Sequence, residues 1–365
     1  MKKLGFGCMR LSMKDNGEVD YDEFNKMIDL YMEEGFNYFD TAHVYLDGKS
    51  EIALRECLTK RYPRESYILT NKLTVSCFNS KEDIRPFFER QLEWTGVEYF
   101  DYYLMHAQDR TKYQHYQDTD AYKVALELKK EGKIKHLGIS FHDNAEMLEE
   151  ILTEHPEVEI VQIQFNYMDL KNPSVESEKL YEVCRKFNKP ILVMEPVKGG
   201  GLVNLPDDAK KVFDDLENNL SYASYAIRFA ASFEGVVCVL SGMSNFEQMK
   251  DNLSYMKDFK PLEDKEYEAI DKVREILDNL GGVPCTACRY CVDGCPKKIS
   301  IPDLFGCYNA KIQFNDWNSD YYYGVHTKNN GKASECIKCG KCENICPQHL
   351  PIRKHLEDVA KTFEK

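Results

Sequence analysis

The sequence predicts an α/β fold, a (β/α)8 barrel that is followed by a small and mainly helical domain. Eight apolar stretches alternate with segments of helical spacing over about 255 residues, which is the pattern of a parallel barrel. Cysteine is distributed unevenly, since five of the 14 cysteines precede residue 280 and nine follow it. We therefore predict a barrel domain at residues 1–280 and a cysteine-rich domain at 281–365. Gly281, Gly282 and Pro284 break regular structure at this boundary.

The eight apolar stretches have the length of strands and are rich in Ile, Val, Phe and Tyr. Most are apolar throughout, which is typical of parallel strands that are buried on both faces. They are residues 4–9, 37–42, 67–73, 99–106, 135–140, 160–167, 190–196 and 235–242. The structural alternative is a doubly wound open sheet. Such a sheet normally carries a GxGxxG turn after its first strand, and this turn is absent from the sequence.

The segments between the strands carry helix signals. In residues 21–35 the apolar positions fall on one stripe and Gly35 ends the pattern. The stripe consists of Phe24, Met27, Ile28 and Tyr31. Before another helix, Ser80 lies three residues ahead of Asp83, a variant of the capping box. These signals place helices between the strands.

The charge of the chain excludes some classes of function. A net charge of −13 is unfavourable for non-specific binding to nucleic acid or anionic lipid, and no long block of Lys and Arg offsets it. No apolar run reaches the roughly 18 residues of a membrane helix. The first residues contain no long apolar segment typical of a signal peptide, so we expect a cytoplasmic protein without structural disulfides.

Titratable side chains lie at the carboxyl ends of three adjacent predicted strands. Asp40 ends the second strand and Tyr45 follows in the loop, while Lys72 ends the third strand and His106 the fourth. Taken singly, an Asp at a strand end is usually a cap and a Tyr in a loop usually packs. A Lys in an apolar strand is costly unless it is paired. Because active sites of such barrels lie at this rim, the four residues predict a catalytic site.

The residues that surround these positions resemble the aldo-keto reductase family. The similar motifs are "FDTAHVY" with "GKSE", "TNKL", "GVEYFDYYLMH", "LKKEGKIKHLGIS", "VQIQFNY", "EPVKGGGL" and "GMSNFEQMKDNL", which together span residues 4–256. The family's catalytic tetrad corresponds to Asp40, Tyr45, Lys72 and His106. The resemblance implies NAD(P)H-dependent reduction of an aldehyde or ketone, or oxidation of the alcohol.

The chemistry of the tetrad assigns a role to each residue. Hydride reduction of a carbonyl leaves an alkoxide that needs a proton, and Tyr45 is the candidate general acid/base. A Tyr with its ordinary pKa near 10 is a weak acid, so Lys72 is expected to lower the pKa of Tyr45, and Asp40 to hold Lys72 in place. His106 is expected to donate to the substrate oxygen and orient it.

The resemblance also implies where the nicotinamide half of a cofactor binds. Ser140 and Gln162 correspond to the residues that bind the carboxamide. The family's usual Asn after that Ser is Phe141 in this sequence. The family's stacking aromatic residue is replaced by Met194, whose thioether can still pack on a ring.

The other half of the cofactor departs further from the family. Gly199 and Gly200 suit close approach of the backbone to a pyrophosphate. NADP-specific members carry a Lys and an Arg where this chain has Gly242 and Gln248, and Asn252 closes the motif. The loss of two cations should weaken binding of a 2′-phosphate, so NADP(H) and NAD(H) both remain candidates.

The cysteine-rich domain contains two C-x2-C-x2-C-x3-C-P runs. They are Cys285, Cys288, Cys291 and Cys295, and Cys336, Cys339, Cys342 and Cys346. Duplicated runs of this type predict two [4Fe–4S] clusters, with the fourth thiol of each run bound to the other cluster. Zinc is the alternative, but a zinc site uses two thiolates per C-x2-C pair and leaves the other cysteines unexplained. Cys307 is expected to pack rather than to bind metal.

The tail resembles a dicluster ferredoxin domain of the helical type. Its two runs start 51 residues apart, and residues 301–315 between them have helical character. Residues 315–335 are predicted to form a loop anchored by aromatic side chains. The polar segment 107–122, after His106, is also predicted to be a loop.

Three functions are compatible with the two halves. In the first, the tetrad acts on a small carbonyl or alcohol substrate and the clusters are structural or sense redox state. In the second, the protein is an electron-transfer reductase that uses an external ferredoxin-like donor or a flavin, although no flavin motif is found in the sequence. In the third, the tail docks a partner and catalysis by the barrel is secondary. A carrier is expected in the second case, because nicotinamide gives two electrons and a cluster accepts one.

Overall fold

Eight parallel strands pair in sequence order, and the eighth pairs with the first, so the sheet closes into a barrel. The strands are β1 (Leu4–Gly7), β2 (Tyr38–Asp40), β3 (Ile68–Leu73), β4 (Phe100–Gln108), β5 (Ile134–Phe141), β6 (Ile160–Gln164), β7 (Ile191–Met194) and β8 (Val236–Ser241). Each strand lies within or overlaps one of the predicted apolar stretches. The predicted (β/α)8 barrel is therefore confirmed.

The computed structural model describes residues 2–170, 175–285, 289–315, 318–328 and 330–364. Its contacts group the chain into two compact units. One unit contains the residues up to Pro196 and Ala223–Glu263, including all eight strands. The other contains Val197–Tyr222 and the residues from Asp264 onward. The domain boundary between residues 280 and 281 stays a prediction.

Ten helices are found between the start of the chain and Met256 in its described part. They are α1 (Tyr21–Glu33), α2 (Lys49–Leu54), α3 (Lys81–Thr95), α4 (Arg110–Asp118), α5 (Ala121–Lys130), α6 (Ala145–Glu154), α7 (Ser177–Lys186), α8 (Asp207–Asp214), α9 (Tyr222–Ala231) and α10 (Phe246–Met256). The predicted stripe of α1 forms its buried face, and the predicted capping box of Ser80 and Asp83 is present at α3. The loop prediction for residues 107–122 is wrong, because α4 occupies most of it and buries Tyr113 and Tyr116.

Apolar side chains fill the barrel interior. The interior cluster consists of Tyr38, Leu104, Ile160, Leu192, Cys238 and Leu240. Gly138 on β5 is required there, since a Cβ would lie 2.5 Å from the Leu104 side chain and 2.6 Å from that of Ile160. The interior is packed, so chemistry must take place at the ends of the strands.

Six helices follow residue 263 in the described chain. They are α11 (Asp264–Asp278), α12 (Tyr290–Asp293), α13 (Ile301–Phe314), α14 (Asn318–Thr327), α15 (Lys341–Ile345) and α16 (Ile352–Phe363). The mainly helical character is as predicted, and α13 is the helix expected between the cysteine runs. The loop prediction for residues 315–335 is wrong over α14. There Tyr323 is buried and its ring stacks on that of Phe363 at 4.6 Å, which holds α14 against α16.

Candidate active site and cysteine chambers

Lys72 lies at the centre of the predicted tetrad. Its side chain is fully buried, and β3 places it beside β2, where Asp40 pairs in register with Thr70. The Lys72 Nζ atom donates to Asp40 Oδ1 at 2.5 Å, to the Thr41 carbonyl oxygen at 2.9 Å and to Tyr45 Oη at 3.1 Å. The three predicted residues are therefore brought together by two neighbouring strands and the turn that follows β2.

His106 completes the group from the end of β4. Its ring centroid lies 5.9 Å from that of Tyr45, with the two ring planes at 79°. Both side chains are partly buried, so they face the rim and not the packed interior. The His106 Nδ1 atom is 2.6 Å from Thr74 Oγ1. This bond fixes one ring nitrogen and leaves Nε2 for another partner.

The pKa of Tyr45 corrects one prediction. Burial raises this pKa more than the Lys72 ammonium lowers it, so that it lies above the ordinary value of 10.0. The expected direction of the Lys72 effect is present, but the predicted net lowering is wrong. In the protein alone, Tyr45 is therefore a protonated phenol at neutral pH, ready to donate.

The pKa values of Lys72, Asp40 and His106 are shifted by burial and by neighbouring charges. Burial lowers the pKa of Lys72, but Asp40 and Tyr45 together raise it by more, so its pKa lies above the ordinary value and Lys72 is an ammonium. Burial raises the pKa of Asp40, and the Lys72 charge offsets this only in part. Burial and the nearby Lys72 charge hold the pKa of His106 well below 6.5, so the imidazole is neutral. A neutral imidazole can donate one hydrogen bond without carrying charge.

A buried network supports Lys72 from behind, and sequence reasoning missed it. The Lys72 backbone N–H donates to Asn71 Oδ1 at 2.8 Å, and Gln91 Nε2 donates to the Lys72 carbonyl oxygen at 3.1 Å. Both amides also donate to Glu51 Oε1, at 2.8 Å from Asn71 and 3.1 Å from Gln91. All three side chains are fully buried. A signal was available, since Gln91 is a polar residue in the apolar stripe of α3.

The residues predicted to bind nicotinamide lie at the ends of neighbouring strands. Ser140 Oγ accepts a hydrogen bond from the Ala107 backbone N–H at 2.7 Å, and Gln162 Nε2 donates to Asp40 Oδ2 at 3.3 Å. Gln162 therefore touches the tetrad directly. Phe141, at the family's Asn position, is fully buried, and Met194 is half-buried at the end of β7. The Ser140 hydroxyl and the Gln162 amide are of the chemical type that binds a carboxamide, and both side chains are buried.

The residues predicted for the rest of the cofactor are distributed over both units. Gly242 and Gln248 are exposed after β8, whereas Asn252 is buried and donates to Ser241 Oγ at 2.7 Å. Gly199 and Gly200 belong to the other unit and have positive φ angles of 63° and 102°. Gly200 thus has a conformation that other residues rarely adopt. Binding of a cofactor by these five residues stays a prediction.

The cysteines of the two runs border two separate cavities. The first chamber is bordered by Cys285 and Cys291 of the first run and Cys346 of the second. The second chamber is bordered by Cys336, Cys339 and Cys342 together with Cys295 of the first run. In each chamber the cysteine from the other run is the last cysteine of that run, Cys346 in the first chamber and Cys295 in the second. Cys288 lies outside the described residues.

The described thiols border the two chambers and do not converge on a single point. In a zinc site with Zn–S bonds of 2.3 Å, the sulfurs would lie only about 3.8 Å apart. Among the described residues, no three His, Cys, Asp or Glu side chains converge closely enough to hold a single ion. The cysteines instead surround a cavity whose other walls are mainly apolar, including Ile301, which borders both chambers. Cys307 borders neither chamber and is buried in the surrounding core.

Comparison with known protein families gives two matches. A family model described as the aldo/keto reductase family matches residues 3–275, and a model described as a 4Fe-4S dicluster domain matches residues 284–350. The second match covers both cysteine runs. No helix in the described parts of the chain has both the length and the apolar character needed to cross a membrane.

Curated relatives are moderately similar in sequence. A probable aldo-keto reductase from Glycine max is 29% identical over 55% of this chain and 57% of its own length. The NADH-specific methylglyoxal reductase of Escherichia coli is 26% identical over 66% of this chain and 84% of its own length. This chain thus spans little more than half of the first relative and most of the second.

Solved structures share the barrel. The holo form of an aldo-keto reductase from Bacillus halodurans superposes with a TM-score of 0.61 and 25% identity, over 74% of this chain and 91% of that chain. An aldo-keto reductase from Klebsiella pneumoniae in complex with NADPH gives a TM-score of 0.61 at 18% identity, over 75% of this chain and 95% of that chain. The latter likeness concerns the fold alone.

Proposed function

Since the chain belongs to the aldo/keto reductase family, we propose that it is an oxidoreductase that uses NAD(P)H to reduce a small aldehyde or ketone, or to oxidise the alcohol. The observation that carries this proposal is the contact of Lys72 with both Asp40 and Tyr45, next to His106. A fully buried ammonium with a carboxylate and a phenol as partners is costly to maintain for structure alone. It is the arrangement expected for a tuned proton donor.

The residues of the chain supply the proton and the orientation. Tyr45, protonated at neutral pH, donates its phenolic proton to the oxygen of the carbonyl as negative charge develops on it. The Lys72 ammonium stabilises the phenolate that remains, and Asp40 keeps Lys72 in place. The neutral His106 donates from Nε2 to the same oxygen, provided that Nδ1 accepts from Thr74.

The nicotinamide cofactor supplies or accepts the hydride when it is bound. Ser140 and Gln162 are the residues that would hold its carboxamide, because they carry a hydroxyl and an amide on neighbouring strands, in register with each other. Gln162 also donates to Asp40, so it links the cofactor position to the tetrad. We propose NAD(H) or NADP(H) as the cofactor. Exposed Gly242 and Gln248 provide no cation for a 2′-phosphate, so these two positions do not select NADP(H).

We further propose that the chain binds two [4Fe–4S] clusters. Cys285, Cys288, Cys291 and Cys346 would hold one, and Cys336, Cys339, Cys342 and Cys295 the other. The two chambers support these sets, because the described cysteines border them in this crossed combination. A reducing, cytoplasmic environment is the compartment that would suit exposed thiolate ligands.

The decisive experiment combines composition and activity. Protein purified without oxygen is analysed for iron, sulfide and flavin, and its reduction of methylglyoxal, the substrate named for the Escherichia coli relative, is measured with NADH and with NADPH. We expect about eight iron and eight sulfide per chain, and activity that falls by at least about a hundredfold in Tyr45→Phe. Activity unaffected by this substitution would contradict the proposed role of Tyr45.

An electron-transfer reductase is the second candidate, and one observation favours it. Cys339 at the second chamber is exposed to solvent, so a cluster held there would be close to the protein surface. Activity that requires a reduced carrier protein, together with flavin in the purified protein, would support this candidate. Activity with NAD(P)H alone in a protein free of flavin would support the first.

A further inference from the structure

Ile337, which borders the second chamber, is one of the most exposed apolar side chains of the described chain. Among the large apolar side chains of the described chain, the three most exposed are Tyr290 at 59%, Ile337 at 56% and Ile345 at 54%, and all lie within the cysteine runs. Only Ile337 of these three borders a chamber. It lies between Cys336 and the exposed Cys339. Because Ile337 lies between two thiols that are proposed to hold a cluster, it is a candidate contact point for a partner protein.

Positive charge surrounds this apolar point. Lys297 and Lys341 border the second chamber, are exposed, and form no ion pair with any carboxylate in the described residues. Arg353 also borders it, but Arg353 Nη2 lies 2.7 Å from a carboxylate oxygen of Glu343, so its charge is neutralised locally. The second chamber therefore carries two exposed lysines without a carboxylate partner among the described residues.

The first chamber differs in charge. Among the described residues that border it, the only cation is Arg289, which forms an ion pair with Asp303 at 2.9 Å, and the exposed polar residue Gln348 is neutral. The positive charge at the second chamber also contrasts with the rest of the chain. Residues 285–354 contain ten Lys or Arg and six Asp or Glu, a formal charge of +4, whereas the whole chain carries −13.

We propose that the second-chamber face, formed by Ile337, Cys339, Lys297 and Lys341, docks a small acidic protein that carries one electron. This inference rests on the cluster part of the proposed function. One electron would pass from the carrier to the cluster that the four cysteines of the second chamber would hold. No bond would form or break in this step. Charge complementarity selects the partner, because an acidic carrier is attracted to the two lysines and repelled by the rest of this acidic chain.

Binding of an acidic plant-type ferredoxin tests the proposal directly. The full chain, loaded with iron and sulfide, is titrated with this protein at low and high salt, and basic cytochrome c serves as the comparison carrier. We expect the ferredoxin to bind with an affinity that falls as salt rises, and cytochrome c to bind more weakly. The double variant Lys297→Glu/Lys341→Glu should bind ferredoxin about tenfold more weakly at low salt, and Ile337→Asp should also bind more weakly.

Matched variants control for general effects. Ile345→Asp changes an equally exposed isoleucine that borders neither chamber, and Lys272→Glu/Lys328→Glu reverses two exposed lysines elsewhere. Both should bind like the unmodified protein. Equal weakening in these controls, or unchanged binding in the chamber variants, would overturn the docking site.

Iron content separates the two possible failures. Protein that takes up no iron and sulfide contradicts the cluster proposal, and the docking proposal falls with it. Protein with full iron content that does not bind ferredoxin contradicts the docking proposal alone. Iron content measured in each variant also shows whether a loss of binding reflects a lost cluster.

Discussion

Lys72 and Asp40 form a buried ion pair in which each charge compensates the other. Lys72→Met would leave the Asp40 carboxylate buried without its cation, and we expect the free energy of unfolding to fall by about 3–5 kcal/mol. Asp40→Asn should have a comparable cost for the converse reason. The double variant should lose less than the sum of the two, because no unpaired charge is left. Chemical denaturation of the three variants measures this coupling.

A surface pair provides the control for this cycle. Lys60 and Glu56 form an ion pair in which the Lys60 side chain is half exposed. Lys60→Met should therefore lower the free energy of unfolding far less than Lys72→Met. Strict additivity in the Asp40 and Lys72 cycle would show that the two groups are not a mutually dependent pair.

Thr74 positions His106 without belonging to the tetrad. If Thr74 Oγ1 donates to His106 Nδ1, the proton of the neutral ring must lie on Nε2, where it can be donated to substrate. In Thr74→Val this bond is lost, and we expect kcat to fall about tenfold while KM changes little. Thr74→Ser keeps the hydroxyl and should restore most of the activity. Equal losses in the Val and Ser variants would indicate packing and not tautomer control.

The pKa directions predict a simple pH profile for reduction. Tyr45 donates only while it is protonated, so the rate of reduction is lost as pH rises through its pKa, which lies above 10.0. His106 is neutral throughout, since its pKa lies well below 6.5. We therefore expect kcat/KM for reduction to be constant from about pH 7 to pH 9. A titration between these values, measured with a single carbonyl substrate, would contradict the assignment of Tyr45 as the proton donor.

Some site residues could be predicted from sequence and others could not. Lys72 and His106 were predictable because a charged or polar group at the end of an apolar strand is a local signal. Their supporting residues, Thr74 and Gln91, make contacts that depend on how strands and helices pack, which local sequence does not specify. The direction of the Tyr45 pKa shift was mispredicted for a similar reason. Burial is its main cause, and the burial of Tyr45 depends on all the segments that pack around it.

At the scale of elements, two glycines with opposite surroundings test the packing. A Cβ on Gly138 in β5 would lie 2.5 Å from a Leu104 methyl group, whereas a Cβ on Gly306 in α13 would meet nothing within 4 Å. We expect Gly138→Ala to destabilise the protein by about 1–3 kcal/mol through overpacking of the interior. Gly306→Ala should stabilise it by about 0.5–1 kcal/mol, since alanine favours the helix. Thermal unfolding of each variant measures the two effects as changes in Tm. A change of Tm in the same direction for the two variants would contradict this account.

The elements were predicted best where periodicity is strong. All eight strands were predicted because buried parallel strands are continuous apolar runs that stand out from their surroundings. Helix α14 was mispredicted as a loop, because Asn, Asp, Tyr and Gly have low helix propensity. Its conformation depends on tertiary packing, with Tyr323 held against Phe363 and bonded to the Ala333 backbone N–H. Propensity alone could not reveal that partner.

At the scale of the whole molecule, the proposed function combines two kinds of electron chemistry in one chain. The barrel would support hydride transfer, which moves two electrons, and the cysteine chambers would hold metal groups that exchange one. Val197–Tyr222, which includes the predicted pyrophosphate loop, belongs to the same compact unit as the cysteine runs. Within this unit a Cβ on Gly201 would lie 3.1 Å from Phe314, the last residue of α13, whose first residue Ile301 borders both chambers. One helix thus connects the cysteine chambers with the glycine loop.

The crossed arrangement of the cysteines makes a prediction that distinguishes it from independent runs. If Cys295 belongs to the second chamber, Cys295→Ala/Cys336→Ala removes two ligands of one cluster and should retain about four iron per chain. Cys285→Ala/Cys295→Ala removes one ligand from each chamber and should retain almost none. If each run held its own cluster, these two results would be exchanged. Iron and sulfide analysis of the anaerobically purified variants decides the matter, with Cys307→Ala as the control that should keep about eight iron.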